Sequence, residues 1–327
     1  IIGYDVPVLE RLLGTDFSSC KITDTLVLSR LTEPSREGGH SLDNWGQQLG
    51  FPKGEHSDWN TFSQDMVDYC KQDVLVNVKV YNALRSVLAG FGSESISLEH
   101  QVQSIITKQT DNGWLLDQEH AFVLLAKLKE KKYDLEDKVH ETFKPLPTFI
   151  KEITPKYKKD GTMSVVGLKF LGDSWSDYIA PFSRVDYPEF NLGSRQQIGR
   201  YLQYFGWKPK KFTEKGQAIV DESILSKVTN IPEANMIAEY LMVQKRIAQV
   251  QSWLDAVEDD GRVHGYVNSN GAVTGRMTHS SPNVAQVPSS GAPYGADCRA
   301  CWTSPKGYKI VGMDASGLEL RMLAHYM

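Results

Sequence analysis

The last twenty residues, "YKIVGMDASGLELRMLAHYM", constrain the fold more than any other stretch of the chain. The apolar run Ile310–Met313 predicts a buried strand, and residues 315–317 predict a tight turn. Residues 318–327 have the composition and apolar spacing of a helix. Asp314 therefore falls at the carboxyl end of a predicted strand, where open α/β sheets carry their functional groups. The stretch predicts an α/β arrangement with an isolated carboxylate at a functional edge.

The composition is that of a globular protein large enough for two or three domains: 327 residues, 41% of them hydrophobic and 23% charged. No apolar run is long enough to span a bilayer and no secretory signal is visible, so we expect a cytoplasmic protein. The chain lacks an initiator Met, begins inside a predicted strand at Ile1–Asp5, and ends in a helix without a cap. We therefore expect a fragment of a longer protein.

Charge is distributed unevenly along the chain. Residues 1–100 contain 8 Lys+Arg and 14 Asp+Glu, a net charge of −6, whereas the remainder contains 28 and 26, a net charge of +2. An acidic segment suits divalent metals and a basic one suits phosphates. The Cys298-x-x-Cys301 spacing could bind zinc or act in redox chemistry. No second pair lies nearby, so we favour reduced thiols.

The chain divides into segments of different character. Residues 1–90 read as a mixed α/β domain, and the Gly/Ser-rich residues 92–100 form the predicted boundary. Residues 144–190 are rich in proline and aromatic residues, which indicates an irregular insertion. Helices are predicted at 97–110, 117–143, 194–204 and 232–256.

Carboxylates in the first segment are candidate metal ligands. Tyr69 and Asp73 are four residues apart and project from one helical face. Such a pair could hold a metal through the carboxylate while the phenol orients a water; the alternative is a solvated helix with a partly buried tyrosine. Asp5 is a second candidate ligand, and two separated carboxylates suit two-metal phosphodiester hydrolysis. Asp24 is instead predicted to cap the helix that follows it.

Basic and polar residues in the second segment are candidates for phosphate contact. A helix start with serine and arginine can bind phosphate, although simple capping explains it equally well. A lysine-rich loop follows, which could equally be solvated, and two cations lie on a later helix. These candidates are Ser194, Arg195, Lys211, Lys215, Lys245 and Arg246. Arg276 and Gln286 lie on the turn-rich stretch "NGAVTGRMTHSSPNVAQVP", a common setting for recognition.

Taken in order, these segments resemble family A DNA polymerases. The resemblance is carried by "TGRMTHSSPNVAQVP", "CRACW" and "GMDASGLELRMLAH", and upstream by "GYDVPVL" and "DYCKQDV", which resemble a 3′–5′ proofreading exonuclease. It is closest to the short-tailed-bacteriophage branch. It covers nearly the whole chain and is weakest over residues 144–190.

The resemblance implies the following domain organisation. Residues 1–95 are the C-terminal part of an RNase H-like 3′–5′ exonuclease domain, and residues 96–327 are the N-terminal part of a right-hand polymerase. The thumb runs over about 96–256 and contains the insertion 144–190, and the palm starts at about 257–327. The overall fold class is therefore α/β, or α+β for the chain as a whole.

The resemblance also implies roles for residues. Asp314 and the backbone carbonyl of Ala315 would bind two Mg²⁺ ions for nucleotidyl transfer. Asp5 matches the second exonuclease motif, and Tyr69 with Asp73 match the third.

Two further residues have both an implied role and a plainer reading. Arg276 matches the family residue that checks the minor groove near the primer end, or it is a loop-stabilising arginine. Glu319 matches a steric gate against ribonucleotides, or it is an acid that stabilises a helix N-terminus.

The implied partners are primer–template DNA and dNTPs. The fingers, the second catalytic Asp and the first exonuclease motif are not found in the sequence, so we expect this fragment to catalyse neither reaction. Residues 144–190 could dock a processivity factor, although a plain thumb-tip loop is favoured. A stand-alone 3′–5′ exonuclease and a non-catalytic nucleic-acid-binding module are the alternative functions.

Overall fold

A computed structural model describes residues 1–166, 168–177 and 179–327. They form two compact units, one of residues 1–122 with 251–327 and the other of residues 123–250. Compact units need not coincide with domains of separate origin, so the domain division at residue 95 stays a prediction.

The first unit is mainly helical. Its longest helix, α4 (Gln64–Val87), is capped by Ser63, whose side chain accepts a hydrogen bond from the Met66 amide, and has Asp65 in its first turn. The helices wholly within this unit are α1 (Asp5–Leu13), α2 (Thr25–Thr32), α3 (Leu42–Gln48), α4 (Gln64–Val87), α5 (Ser93–Asn112), α10 (Gly295–Ala300) and α11 (Leu318–Tyr326). Helix α6 (Gln118–Thr142) begins here, and α9 (Pro232–Leu254) ends here.

One hydrophobic cluster holds helices α2, α3 and α4 together. Helix α4 contributes Val76, Val80 and Leu84, whose spacing of four residues places them on one face. They pack with Leu28 of α2 and Trp45 of α3, and all five are buried. Although valine is a weak helix former, burial of this stripe outweighs its propensity.

Strands in this unit are short and antiparallel. β1 (Trp114–Leu115) pairs with β4 (Arg262–Val263), and β5 (Tyr266–Asn268) pairs with β6 (Thr278–Ser280). In the second pair Val267 lies opposite His279.

Three local predictions of strands are wrong. Residues 1–4 form a turn that leads into α1, so Asp5 begins a helix. Residues 1–92 contain helices and no strand. Ile310–Met313 has no regular secondary structure and is exposed. A strand needs a neighbour to take its backbone hydrogen bonds, and none of the described residues provides one for Ile310–Met313.

The second unit contains the rest of α6 and α9, together with α7 (Arg195–Tyr204) and α8 (Glu222–Leu225). Its core includes an aromatic group in which Phe143 stacks on Phe190, with ring centroids 4.7 Å apart, and both rings contact Tyr201. The predicted insertion forms an antiparallel pair of β2 (Thr148–Ile153) and β3 (Phe182–Asp186). The helices predicted at 97–110, 117–143, 194–204 and 232–256 correspond, in that order, to α5, α6, α7 and α9.

The predicted mixed class is confirmed, with helices predominating and the strands confined to three antiparallel pairs among the described residues. Across the same residues, no helix combines the length and apolar character needed to cross a membrane.

Candidate functional site

Tyr69 and Asp73 lie on one face of α4, as predicted from their spacing. The Asp73 Oδ2 atom lies 3.1 Å from the ammonium of Lys53, which also lies 5.1 Å from the centre of the Tyr69 ring. Burial alone would lower the pKa of Lys53, but hydrogen bonds to Tyr69 and Asp73 outweigh burial, so its pKa is raised. This network keeps Lys53 charged beside the carboxylate.

The other Asp73 oxygen is placed differently. Oδ1 is buried and has no hydrogen-bond partner among the described residues. Asp73 is three residues before Val76, so it heads the apolar stripe of α4 and turns toward the core. A buried, unpartnered carboxylate oxygen is costly unless a cation or a donor satisfies it.

Two further rings surround Tyr69. The Trp59 ring lies 5.3 Å from Tyr69 and nearly perpendicular to it, and His56 lies 4.7 Å from Trp59 in the same manner. Both come from the extended segment before α4, and Trp59 is 54% exposed. Sequence reasoning missed Lys53, His56 and Trp59. The available signal was a loop, "FPKGEHSDWN", that places a cation and aromatic rings just before the candidate helix.

Asp5 is the first residue of α1 and its side chain is mostly exposed. Its role as a ligand stays a prediction.

Asp314 and Ala315 are exposed, and the predicted turn is present at residues 316–317. Gly317 immediately precedes α11 and has a φ of +61°, a left-handed conformation that glycine adopts without strain. This turn directs the chain from the Asp314 segment into the first turn of α11, where Glu319 lies.

Two residues that the sequence separates by 43 positions meet in the structure. The Arg276 guanidinium lies 3.0 Å from the Glu319 carboxylate, and both side chains are about three-quarters exposed. Arg276 is held on a turn in which the Ala272 amide donates to the Arg276 carbonyl. Gly271 permits the close approach of this turn to β6, because a Cβ there would lie 2.1 Å from the Thr278 hydroxyl. The structure thus brings together two predicted site residues.

Gln286 is exposed on the loop after β6, and its backbone amide donates a hydrogen bond to the side-chain oxygen of Asn283. Cys298 and Cys301 are buried and make no disulfide. Burial, aided by nearby negative groups, raises the pKa of the Cys301 thiol to about 12, so it stays protonated and unreactive.

The candidates in the second unit lie on three elements. Ser194 caps α7 and accepts a hydrogen bond from the Gln197 amide, which is the capping alternative of the sequence analysis. Arg195, Lys211, Lys215 and Lys245 are exposed, and Arg246 is partly buried with a long contact to Gln249. Each keeps its candidate role as a prediction.

The donor chemistry suits Mg²⁺ in part. No group of three or more His, Cys, Asp or Glu side chains within the described ranges is arranged to hold a metal ion. Mg²⁺ commonly uses one or two carboxylates and completes its octahedron with water and substrate phosphates. Asp73 and Asp314 each offer one carboxylate, so water and substrate phosphates would have to supply the remaining ligands at either position.

The sequence and the fold of this chain were compared with those of known proteins. Residues 178–327 match the model of DNA polymerase family A. A DNA-directed DNA polymerase of Escherichia phage T7 is 34% identical over 99% of this chain, and one of Enterobacteria phage T3 is equally similar over the same share. The fold resembles a solved structure described as the POL domain of Pol1 from M. smegmatis in complex with DNA primer-template and dNTP. It has a TM-score of 0.66 and 19% identity, and it covers 92% of this chain and 45% of that one.

The chain spans 60% of the length of the two phage relatives. The matched part begins at residue 178 and includes Arg276, Asp314 and Glu319, while the phage similarity extends over the segment with Asp5, Tyr69 and Asp73. Both comparisons agree with the family that the motifs indicate, and the chain belongs to DNA polymerase family A.

Proposed function

We propose that this chain serves template-directed DNA synthesis with 3′–5′ exonucleolytic proofreading. The observation that carries the proposal is the meeting of Arg276 and Glu319 beside the turn that follows Asp314. These three residues are the ones expected to act on the primer end, the nucleotide sugar and the metal. A stand-alone exonuclease would give no reason for this grouping or for the family match over residues 178–327.

In the proposed synthetic site, Asp314 and the Ala315 carbonyl hold the Mg²⁺ pair. When bound, the ions lower the pKa of the primer 3′-hydroxyl and neutralise charge on the transferring phosphoryl group. Arg276 donates to the minor-groove acceptors that all correct base pairs share. Glu319 lies under the nucleotide sugar and excludes a 2′-hydroxyl by its bulk.

In the proposed exonuclease site, Asp5 and Asp73 hold Mg²⁺ and Tyr69 orients the attacking water. The unpartnered Asp73 oxygen supports this assignment, because a bound cation would offset the free-energy cost of a buried, unpaired carboxylate oxygen. Lys53 pairs with Asp73 Oδ2, so it would have to release or share that carboxylate if Asp73 served as a metal ligand.

The remaining candidates are proposed to contact the DNA backbone. Lysines and arginines release counterions when they neutralise phosphates. These are Arg195, Lys211, Lys215, Lys245 and Arg246, with Ser194 at a helix start and Gln286 on the loop after β6.

The β2–β3 insertion is proposed as the docking place of a processivity factor, in a replication enzyme of the host-cell cytoplasm. Phe149, Tyr157 and Ile179 are more than half exposed in this segment, and exposed apolar groups of this kind favour a protein partner.

Paired substitutions in the complete gene product test the proposal. Asp314→Ala should abolish primer extension and leave 3′-end degradation intact, while Asp73→Ala should do the reverse. Primer–template binding should stay within about threefold of the unmodified protein, since both carboxylates are proposed as metal ligands and not as phosphate contacts. Extension by Asp314→Ala within about tenfold of the original, a barrier change of only ~1.4 kcal/mol, would refute the synthetic assignment.

A further inference from the structure

We propose that Arg30 of α2 and Gln103 of α5 are positioning residues for Arg276. They hold the chain that leads into residues 271–276, hereafter called the Arg276 turn, and through this chain they set the direction of the Arg276 guanidinium. The inference rests on the proposed function of Arg276 at the primer end and deepens it, because it names what keeps that residue in place.

The end of β5 is tied to two helices that lie far away in the sequence. Asn268 Oδ1 accepts a hydrogen bond of 2.6 Å from Arg30 Nη1, across 238 positions of sequence. The hydroxyl of the next residue, Ser269, donates to Gln103 Oε1 at 3.0 Å, across 166 positions. Helices α2 and α5 therefore each hold one of two consecutive side chains.

The residues that follow β5 are buried although they are polar. Ser269 is 4% exposed and Asn270 is 6% exposed. Asn270 adds a third contact to the helices, since its Nδ2 atom donates to the Val27 carbonyl of α2 at 3.4 Å. Buried polar groups need hydrogen-bond partners, so these contacts fix where the chain lies as it leaves the strand.

The anchored residues adjoin the Arg276 turn directly. A Cβ on Gly271 would lie 2.7 Å from Asn268 Nδ2, so the amide group that Arg30 holds is packed against the start of the turn. Within the turn, the Ala272 amide donates to the Arg276 carbonyl at 3.0 Å. A displacement of Asn268 would therefore be passed on to the backbone of Arg276.

Arg276 depends on its backbone for its direction. Its side chain is 74% exposed, and that of its ion-pair partner Glu319 is 80% exposed. An exposed ion pair contributes little to holding a long side chain in one place. Because a misplacement of ~1 Å at a reacting site can cost about 100-fold in rate, the anchoring of the turn has a direct consequence for extension of the primer.

The first test measures the anchoring without DNA. Hydrogen exchange of the backbone amides of residues 271–276 is followed by mass spectrometry in the complete gene product. Arg30→Ala and Gln103→Ala should each speed this exchange by about fivefold or more, the lower end of coupling between two sites. Arg30→Lys keeps a cationic donor and should stay within about twofold of the original.

Gln101→Ala is the matched control for Gln103→Ala. Gln101 lies on the same helix, is exposed, and donates to Ser97 of that helix. Its replacement should leave exchange of the Arg276 turn unchanged. Unchanged exchange in Arg30→Ala or in Gln103→Ala would overturn the role of that residue, as would an equally large change in the control.

The second test measures extension of primers with matched and mismatched 3′ ends. A terminal phosphorothioate linkage protects both primers from excision. Arg30→Ala should lower the ratio of matched to mismatched extension by about fivefold or more. Adding Arg30→Ala to Arg276→Ala should lower it no further, because Arg30 acts through Arg276.

The two tests separate this inference from the function on which it rests. Losses that multiply in the double variant would overturn the inference, since Arg30 would then act by another route. If Arg276→Ala itself leaves the ratio unchanged while Arg30→Ala speeds exchange of the turn, the anchoring stands and the proposed function of Arg276 fails.

Discussion

Replacing Lys53 by methionine should destabilise the chain measurably, and the structure sets the magnitude. The Lys53–Asp73 pair is 3.1 Å long and each side chain is about a quarter exposed. Fully exposed pairs contribute ~0.2–1 kcal/mol, whereas removing one partner of a fully buried pair costs ~3–5 kcal/mol. We expect an intermediate loss of about 1.5–3 kcal/mol in the free energy of unfolding, since Asp73 would be left with neither oxygen paired.

Urea unfolding of the chain, followed by circular dichroism, measures this loss as a shift in midpoint at constant slope. Lys79→Met is the matched control, because the Lys79 ammonium also lies over a ring, at 4.5 Å from the centre of Phe51, but pairs with no carboxylate in the described part of the chain. The control should lose only the cation–π contribution, about 0.5–1 kcal/mol. Equal losses in the two variants would refute the argument from the ion pair.

The same variant reports on the metal without an activity assay. If Lys53 competes with Mg²⁺ for Asp73, the ion should stabilise Lys53→Met more than the original protein, by up to ~2.7 kcal/mol at a hundredfold excess over its dissociation constant. Adding Asp73→Asn should remove the effect. A stabilisation by Mg²⁺ that persists in the double variant would show that Asp73 is not the ligand.

Three further outcomes are expected. Leu84→Ala should cost about 2–4 kcal/mol of unfolding free energy, because Leu84 is buried in the α4 cluster, whereas Val87→Ala on an exposed face of the same helix should cost less than ~0.5 kcal/mol. Burial would lower the pKa of His264, but hydrogen bonds to a backbone carbonyl and to Asp260 raise it above 6.5. The stabilisation that protonated His264 contributes should therefore be complete below about pH 6.5 and be lost at higher pH. In urea titrations at several pH values, His264→Gln should reduce this dependence of the unfolding free energy on pH. Glu319→Ala should leave the unfolding free energy within ~1 kcal/mol, since its ion pair is exposed. In the complete gene product it should raise ribonucleotide incorporation relative to deoxyribonucleotide incorporation by orders of magnitude. An unchanged incorporation ratio would mean that Glu319 only stabilises its helix.

Structural features that depend only on residues close together in the sequence were predicted best. The capping of α2 by Asp24 is confirmed, because the cap is made with the Leu26 and Val27 amides a few positions away. The shared face of Tyr69 and Asp73 is confirmed for the same reason, since helical periodicity fixes it.

Contacts between distant segments were harder to foresee. The apolar run Ile310–Met313 has the pattern of a strand, but a strand exists only when another one pairs with it, and pattern says nothing of the partner. Trp59 and Lys53 were missed because only the fold brings their loop onto Tyr69. The Arg276–Glu319 pair likewise spans two segments, and sequence alone offered a role for each residue but no contact.

In helix α4, the number of residues between Asp73 and the buried apolar positions matters more for the direction of the carboxylate than which apolar residues occupy those positions. Asp73 belongs to the same stripe as Val76, Val80 and Leu84, so the core sets the direction in which the carboxylate points. Each residue advances the helix by about 100°, which follows from 3.6 residues per turn. An insertion of one residue between Asp73 and Val76 would therefore swing the carboxylate away from Lys53, while exchanges such as Val80→Ile preserve the direction. Selection on this helix should tolerate changes of apolar side chain and reject changes of length.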